Sequence, residues 1–145
     1  MNNLTKMKIV RPANEVFEAI VDPSRIGNFW FSSNSERWEQ GKTVTMRYDE
    51  YDAQLDIKVI EIEQNKKIVF QWGANGEGHF VTISLKEVNP SGTIIEVNEE
   101  GFNENDKELI SQLIDNKEGW VYMLTCLKGY LEFGNNKLRA GLVKD

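Results

Sequence analysis

One cysteine, one histidine and three prolines are all that this chain of 145 residues holds of those types. A lone Cys126 leaves no partner for an internal disulfide and fits a reducing, cytoplasmic setting, where a single thiol usually serves as a small buried hydrophobe. A lone His79 excludes a metal site of several histidines, and no cysteine pair stands in for it, so neither a metal nor a cofactor is expected. No apolar run approaches 18 residues and no basic-then-apolar leader opens the chain, so neither a membrane span nor a signal peptide is expected. A nucleophile elbow of the form Gly-x-Ser-x-Gly, a phosphate-cradling loop and a dinucleotide fingerprint are all missing. Clusters of Lys and Arg, which nucleic-acid binding needs to displace counterions, are also missing. What remains is the composition of an ordinary globular protein, 40% hydrophobic and 28% charged.

The net charge of −6 is concentrated in one place. From Ile94 to Glu118, eight acids (Glu96, Glu99, Glu100, Glu104, Asp106, Glu108, Asp115 and Glu118) face two bases, Lys107 and Lys117, which accounts for the whole excess. The belt reads as a solvated rim around a mobile connection, with a docking patch for a basic partner as the alternative.

Periodicity supplies the architecture. Leu4 to Val10 reads as a first strand. Arg11-Pro12 then opens a helix with Val16, Phe17 and Ile20 at helical spacing. Asp22-Pro23 repeats the cap-and-proline logic and predicts a second short helix toward Phe29 and Trp30. From Lys42 onward the period becomes two: Val44, Met46 and Tyr48, then Leu55, Ile57 and Val59, then Ile68, Phe70 and Trp72, then Val81, Ile83 and Leu85, then Ile95 and Val97. Alternation of this kind marks an antiparallel sheet covered on one face. Ile60 and Ile62 fall out of phase with Val59, which predicts a bulge there and with it a curved sheet. Turns are expected at Gln64–Lys66, Gly73–Gly78 and Asn89–Gly92. Finally Trp120, Met123, Leu124, Leu127 and Leu131 recur at spacings of three and four within Gly119–Gly134, a helix of roughly 24 Å. The fold class is therefore α+β. About six antiparallel strands curve around a long C-terminal helix, with two short helices between the first and second strands.

The space between that helix and the sheet is where function is expected. The residues predicted to line it are Trp30, Met46, Tyr48, Leu55, Ile57, Phe70, Trp72, His79, Val81, Val97, Trp120, Leu124 and Leu127. His79 shares the phase of Val81, Glu99 shares that of Val97, and Tyr48 ends the Val44–Met46 face, so three polar groups aim inward from strand ends to orient a ligand. The alternative is that these three merely reach solvent at fraying ends. The aromatic run Phe29–Phe31 with Trp38 caps the core or gates the pocket. On the helix face so assigned, Trp120→Ala is expected to cost about 3–5 kcal/mol as a core truncation and Lys128→Ala under about 0.5 kcal/mol as a surface change.

The stretch Pro12-Ala13-Asn14-Glu15-Val16-Phe17-Glu18-Ala19-Ile20-Val21-Asp22-Pro23 resembles the opening of the START-like (SRPBCC) superfamily. Val59–Glu63 through Ile68–Trp72 resembles that family's central hairpin. Gly119-Trp120 with Leu127-Lys128-Gly129-Tyr130-Leu131-Glu132 is similar to the subgroup named for the activator of heat shock protein 90 ATPase. The resemblance implies one START-like domain over residues 1–145, with the helix-grip fold. It also implies a hydrophobic cavity for lipids, sterols, polyketides or other small apolar molecules. The reading adopted is a non-enzymatic binding protein for such a molecule. A chaperone-associated interaction protein is the second reading, and a cyclase or aromatase type of enzyme using His79 is the third.

Overall fold

In the computed structural model, which describes residues 1–73 and 78–143, the chain opens with strand β1 (Asn2–Ile9), helix α1 (Ala13–Val21) and a 3-10 turn (Ile26–Asn28). Strands β2 (Ser33–Asn34) and β3 (Thr43–Tyr48), a second 3-10 turn (Asp49–Tyr51) and strands β4 (Ala53–Glu63) and β5 (Lys67–Trp72) follow. Strands β6 (His79–Asn89) and β7 (Gly92–Glu100) and helix α2 (Leu109–Phe133) complete the order. The described strands form one antiparallel seven-stranded sheet, β1-β7-β6-β5-β4-β3-β2. The two-residue β2, paired to β3 through Ser33 and Asn34, is the strand that periodicity had no length to reveal. The turn expected at Gly73–Gly78 rests on residues 74–77, outside the described residues.

The alternation in the sequence becomes the two faces of the sheet. Val44 and Met46, Ile57 and Val59, Ile68 and Phe70, Val81 and Ile83, and Ile95 and Val97 are all buried. They pack with Val16, Phe17 and Ile20 of α1 and with Trp120, Met123, Leu124 and Leu127 of α2 in one apolar cluster. The register between β4 and β5 shifts between Val59 and Glu61, which is the bulge that the parity of Ile60 and Ile62 requires.

The second short helix expected after Asp22-Pro23 is present as a single 3-10 turn, Ile26–Asn28. Ile26, Phe29, Trp30 and Phe31 are all buried, and the consecutive run 29–31 cannot share one helix face, so the chain leaves the helix to bury every ring. Asp22 instead closes a turn, its Oδ1 accepting from the Ser24 amide at 2.9 Å. In β1 the inward residues are Asn3, Thr5 and Ile9, while Leu4, and Val10 just past the strand, are exposed. The helix α2 has 25 residues and begins at Leu109, eleven positions before the stripe that announced it. Leu109, Leu113 and Asn116 extend that stripe back from Trp120 by eleven, seven and four residues, through sequence that reads as acidic belt. Gly134 ends the helix in the left-handed conformation (φ 68°).

Helix α2 also closes the free edge of the sheet. Asn3 Nδ2 donates to the Leu113 carbonyl at 2.9 Å and Lys117 Nζ donates to the Leu4 carbonyl. Lys128 Nζ donates to the Lys8 carbonyl at 2.8 Å, and Glu132 Oε2 accepts from the Val10 amide at 3.0 Å. An edge strand with bare N–H and C=O groups is a template for mispairing, and these side chains occupy it. Lys128 is therefore an edge tether rather than a plain surface residue.

Candidate functional site

A pocket of about 650 Å³ lies at the end of the sheet where β3, β4 and β5 meet α2. Its sheet wall is Tyr48, Leu55 and Trp72, and its helix wall runs from Asp115 and Asn116 through Gly119 and Trp120 to Tyr122 and Met123. The loop residues Phe29, Trp30 and Phe31 form a third side, with Tyr51 beside Tyr48. Arg139, Ala140 and Leu142, from the segment after α2, form the fourth.

The wall is built on a packed aromatic cluster. Trp30 is its hub, with ring centroids 5.5 Å from Trp120, 6.3 Å from Trp72 and 4.9 Å from Phe31. Trp72 and Trp120 stack at 5.3 Å and 26°. Rings held against rings are fixed in orientation, so the apolar surface presented to the pocket is preorganised. Trp38 lies behind this wall, edge-on to Phe70 at 5.2 Å.

Of the residues the sequence singled out, Trp30, Tyr48, Leu55, Trp72 and Trp120 line this pocket. Met46, Ile57, Phe70, Val81, Val97, Leu124 and Leu127 are buried in the core behind it. His79 and Glu99 stand behind Trp120 rather than in the pocket. Glu99 is 3% exposed, its Oε1 accepts from Trp120 Nε1 at 3.0 Å and its Oε2 lies 2.7 Å from His79 Nδ1. A carboxylate can only accept, so His79 donates through Nδ1–H. The antiparallel register puts Val81 opposite Glu99, which sets His79 on the same face one step along and brings the two side chains together. The His79 ring meets Phe102 edge-on at 4.5 Å. Gly101 (φ 121°) follows, where an added Cβ would stand 2.7 Å from His79 Cδ2, so both its backbone and its lack of a side chain serve the histidine. The inward-facing polar groups thus do not fray into solvent together. Glu99 is a buried clamp on Trp120, and the partly exposed His79 steadies it.

Tyr48 sits apart, at the opposite side of the pocket. Its ring packs on Phe31 at 5.1 Å and lies under the Arg139 guanidinium, 5.4 Å from the centroid. Burial pushes its phenol above the usual value. Arg139 is the pocket residue that no periodicity signals. Its Nε donates to the Trp30 carbonyl at 2.8 Å, and its two terminal nitrogens meet the Glu50 carboxylate at 2.5 and 3.0 Å. That fork of hydrogen bonds pulls the Glu50 carboxyl down to about 2. It also pins the C-terminal segment as a pocket wall, with Tyr122 donating its hydroxyl to the Leu138 carbonyl. Among the described residues no group of three or more His, Cys, Asp or Glu side chains converges as a metal set would. Likewise no helix among them is long and apolar enough to cross a membrane.

Residues 11–132 match the family model described as Activator of Hsp90 ATPase homolog 1-like protein. Among solved structures, protein SSP2350 of Staphylococcus saprophyticus is 51% identical, with 94% of this chain and 95% of that one covered and a TM-score of 0.83. The Aha1 dimer of Colwellia psychrerythraea is 20% identical over 92% of this chain and 98% of that one, with a TM-score of 0.79. PFC0360w, an Hsp90 activator of Plasmodium falciparum, is 16% identical over 92% and 96%, with a TM-score of 0.70. At those two identities the likeness is one of fold. No curated protein matches the chain.

Proposed function

The chain belongs to the Activator of Hsp90 ATPase homolog 1-like protein family, and on that premise we propose that it is a non-enzymatic, cytoplasmic binding protein. Its ligand is a small apolar molecule, such as a lipid, sterol or polyketide, held between α2 and the open end of the sheet. The observation that carries this reading is the pocket of about 650 Å³ walled by packed aromatic rings. That size falls within the range of small-molecule sites, about 300–1,000 Å³, and burial of apolar ligand surface contributes roughly 25 cal/mol per Å². Tyr48 and Arg139 supply polar edges that fix the ligand's orientation, and the Glu99–Trp120 bond keeps one wall from tilting. Trp30, Trp72 and Trp120 all border the space, so occupancy is expected to change the intrinsic fluorescence. Titration with a fatty acid, a sterol and an aromatic polyketide, alongside mass spectrometry of small molecules carried through native purification, tests the reading. No co-purified molecule, no emission change and no shift of Tm with any of the three overturns it.

A second reading, association with a chaperone, is supported by the family description and by the Plasmodium activator's likeness of fold. Pull-down with the cell's own Hsp90, repeated after neutralising Glu96, Glu100, Glu104 and Glu108, separates the two. No co-purification at all removes this second reading.

A further inference from the structure

Arg139 is the one cation among the described residues that line the aromatic pocket, and the other charged residue there, Asp115, is an acid. A guanidinium in an apolar pocket is the usual anchor for a carboxylate, because it presents a planar fork of five N–H donors. Here the fork is already occupied. Its Nε donates to the Trp30 carbonyl at 2.8 Å and one terminal nitrogen to Glu50 Oε2 at 2.5 Å. The other terminal nitrogen donates to Glu50 Oε1 at 3.0 Å and to Ser32 Oγ at 3.3 Å. Beyond these contacts one N–H is left, enough for a neutral oxygen but not for the paired donors that a carboxylate takes up.

Glu50 is not readily displaced from this arrangement. Ser32 Oγ donates to its Oε1 at 3.0 Å, and the carboxyl, drawn down to about 2, is ionised at neutral pH. It adjoins the lining residue Tyr51, so it competes with an incoming anion as a tethered group, at an effective concentration on the order of millimolar. A second carboxylate brought to Arg139 meets a cation that is already neutralised, and one of the two anions is left without a partner. Stripping water from that anion among aromatic rings then has no offset. An ester, ketone or alcohol of the same skeleton carries no such charge. We propose that the pocket takes uncharged apolar molecules and rejects the corresponding carboxylates, with Glu50 as the specificity-determining residue that withholds Arg139 from the ligand. The inference rests on the pocket being a ligand site and narrows what that site holds. Discrimination of this kind comes from a repulsive element built beside the site rather than from a new attraction.

The probes are 1-pyrenebutyrate with its methyl ester and dodecanoate with methyl dodecanoate, each pair sharing one skeleton and differing in charge. Binding at pH 7.5 is read from Trp-to-pyrene energy transfer for the first pair and from the shift of Tm for the second. Wild type is expected to bind each ester at least tenfold more tightly than its carboxylate. In Glu50→Gln the carboxylate is expected to gain at least tenfold, bringing the ratio to about one or inverting it. The double variant Glu50→Gln/Arg139→Gln, which has the net charge of wild type, is expected to return the ratio to the wild-type value. Glu50 is 41% exposed, and circular dichroism with Tm shows that its variant is folded. Equal binding of acid and ester by wild type overturns the proposal while leaving the pocket reading intact, and so does a ratio in Glu50→Gln within twofold of wild type. A ratio tenfold above wild type in the double variant also overturns it, because the native guanidinium then already serves the anion. Failure of both pairs to bind any of the three proteins overturns the pocket reading and this inference with it.

Discussion

Replacing Trp120 by Phe isolates what the buried clamp contributes. The substitution keeps an aromatic ring against Trp30 and Trp72 but removes the indole N–H that Glu99 Oε1 accepts at 3.0 Å. Glu99 is 3% exposed and does not reach water to replace the lost donor, leaving only the His79 contact at 2.7 Å. A hydrogen bond to a charged group contributes about 1.5–3 kcal/mol, and leaving the acceptor buried and unpaired moves the cost to the upper part of that range. The smaller ring adds about 1 kcal/mol of lost packing, so Trp120→Phe is expected to cost about 3–4 kcal/mol in all. For a domain of this size that lowers Tm by roughly 10 °C. Urea unfolding of the wild type, Trp120→Phe, Glu99→Leu and the double variant separates the two contributions. Removing the carboxyl makes the missing donor harmless, so the double variant is expected to be about 1.5–2.5 kcal/mol more stable than the sum of the singles predicts. An unchanged m-value shows that the unfolded state is comparable. A coupling below about 0.5 kcal/mol refutes the clamp and leaves Trp120 as packing alone.

Lys128→Ala is expected to cost about 0.5–1.5 kcal/mol rather than the near-zero of a solvent-facing lysine, because it removes the donor to the Lys8 carbonyl on the free sheet edge. Chemical denaturation measures it, with Lys137→Ala, an exposed lysine of the C-terminal segment, as the reference. Glu50 has its folded pKa drawn down to about 2 from 4.5 by Arg139. Its contribution is therefore present above the unfolded value and lost as pH falls from about 4.5 toward 2. The side chain is 41% exposed, so solvent screening limits the effect to under about 1 kcal/mol. Glu50→Gln is accordingly expected to be less stable than wild type at pH 7 and to converge with it near pH 2.5 in thermal unfolding. A constant difference across that window means that the ion pair is not its source.

The sheet and the core were legible in the sequence because each strand buries one face. The alternation of Val81, Ile83 and Leu85 or of Val44 and Met46 follows from strand geometry alone, and even the bulge at Val59 appeared as a slip of parity. The inward aim of His79 and Glu99 was equally readable from phase. Their meeting was not, since it depends on the register that sets Val81 opposite Glu99. The first ten residues of α2 went unread because their polar outer positions outweigh the intermittent Leu109, Leu113 and Asn116 that continue the buried stripe. Arg139 gave no local sign, as a single residue in an irregular segment acquires its role only by folding back onto Trp30 and Glu50.

The sequence by itself determined the fold class, the curved one-sided sheet and the long helix that fills it, because hydrophobic periodicity is a local property and burial enforces it. Tertiary structure decided where that helix begins, at Leu109, ten residues ahead of its legible part. It also decided that the pocket lies at the Tyr48, Leu55 and Trp72 end rather than along the whole helix. These outcomes depend on contacts between residues far apart in the chain, and periodicity carries no information about those distances.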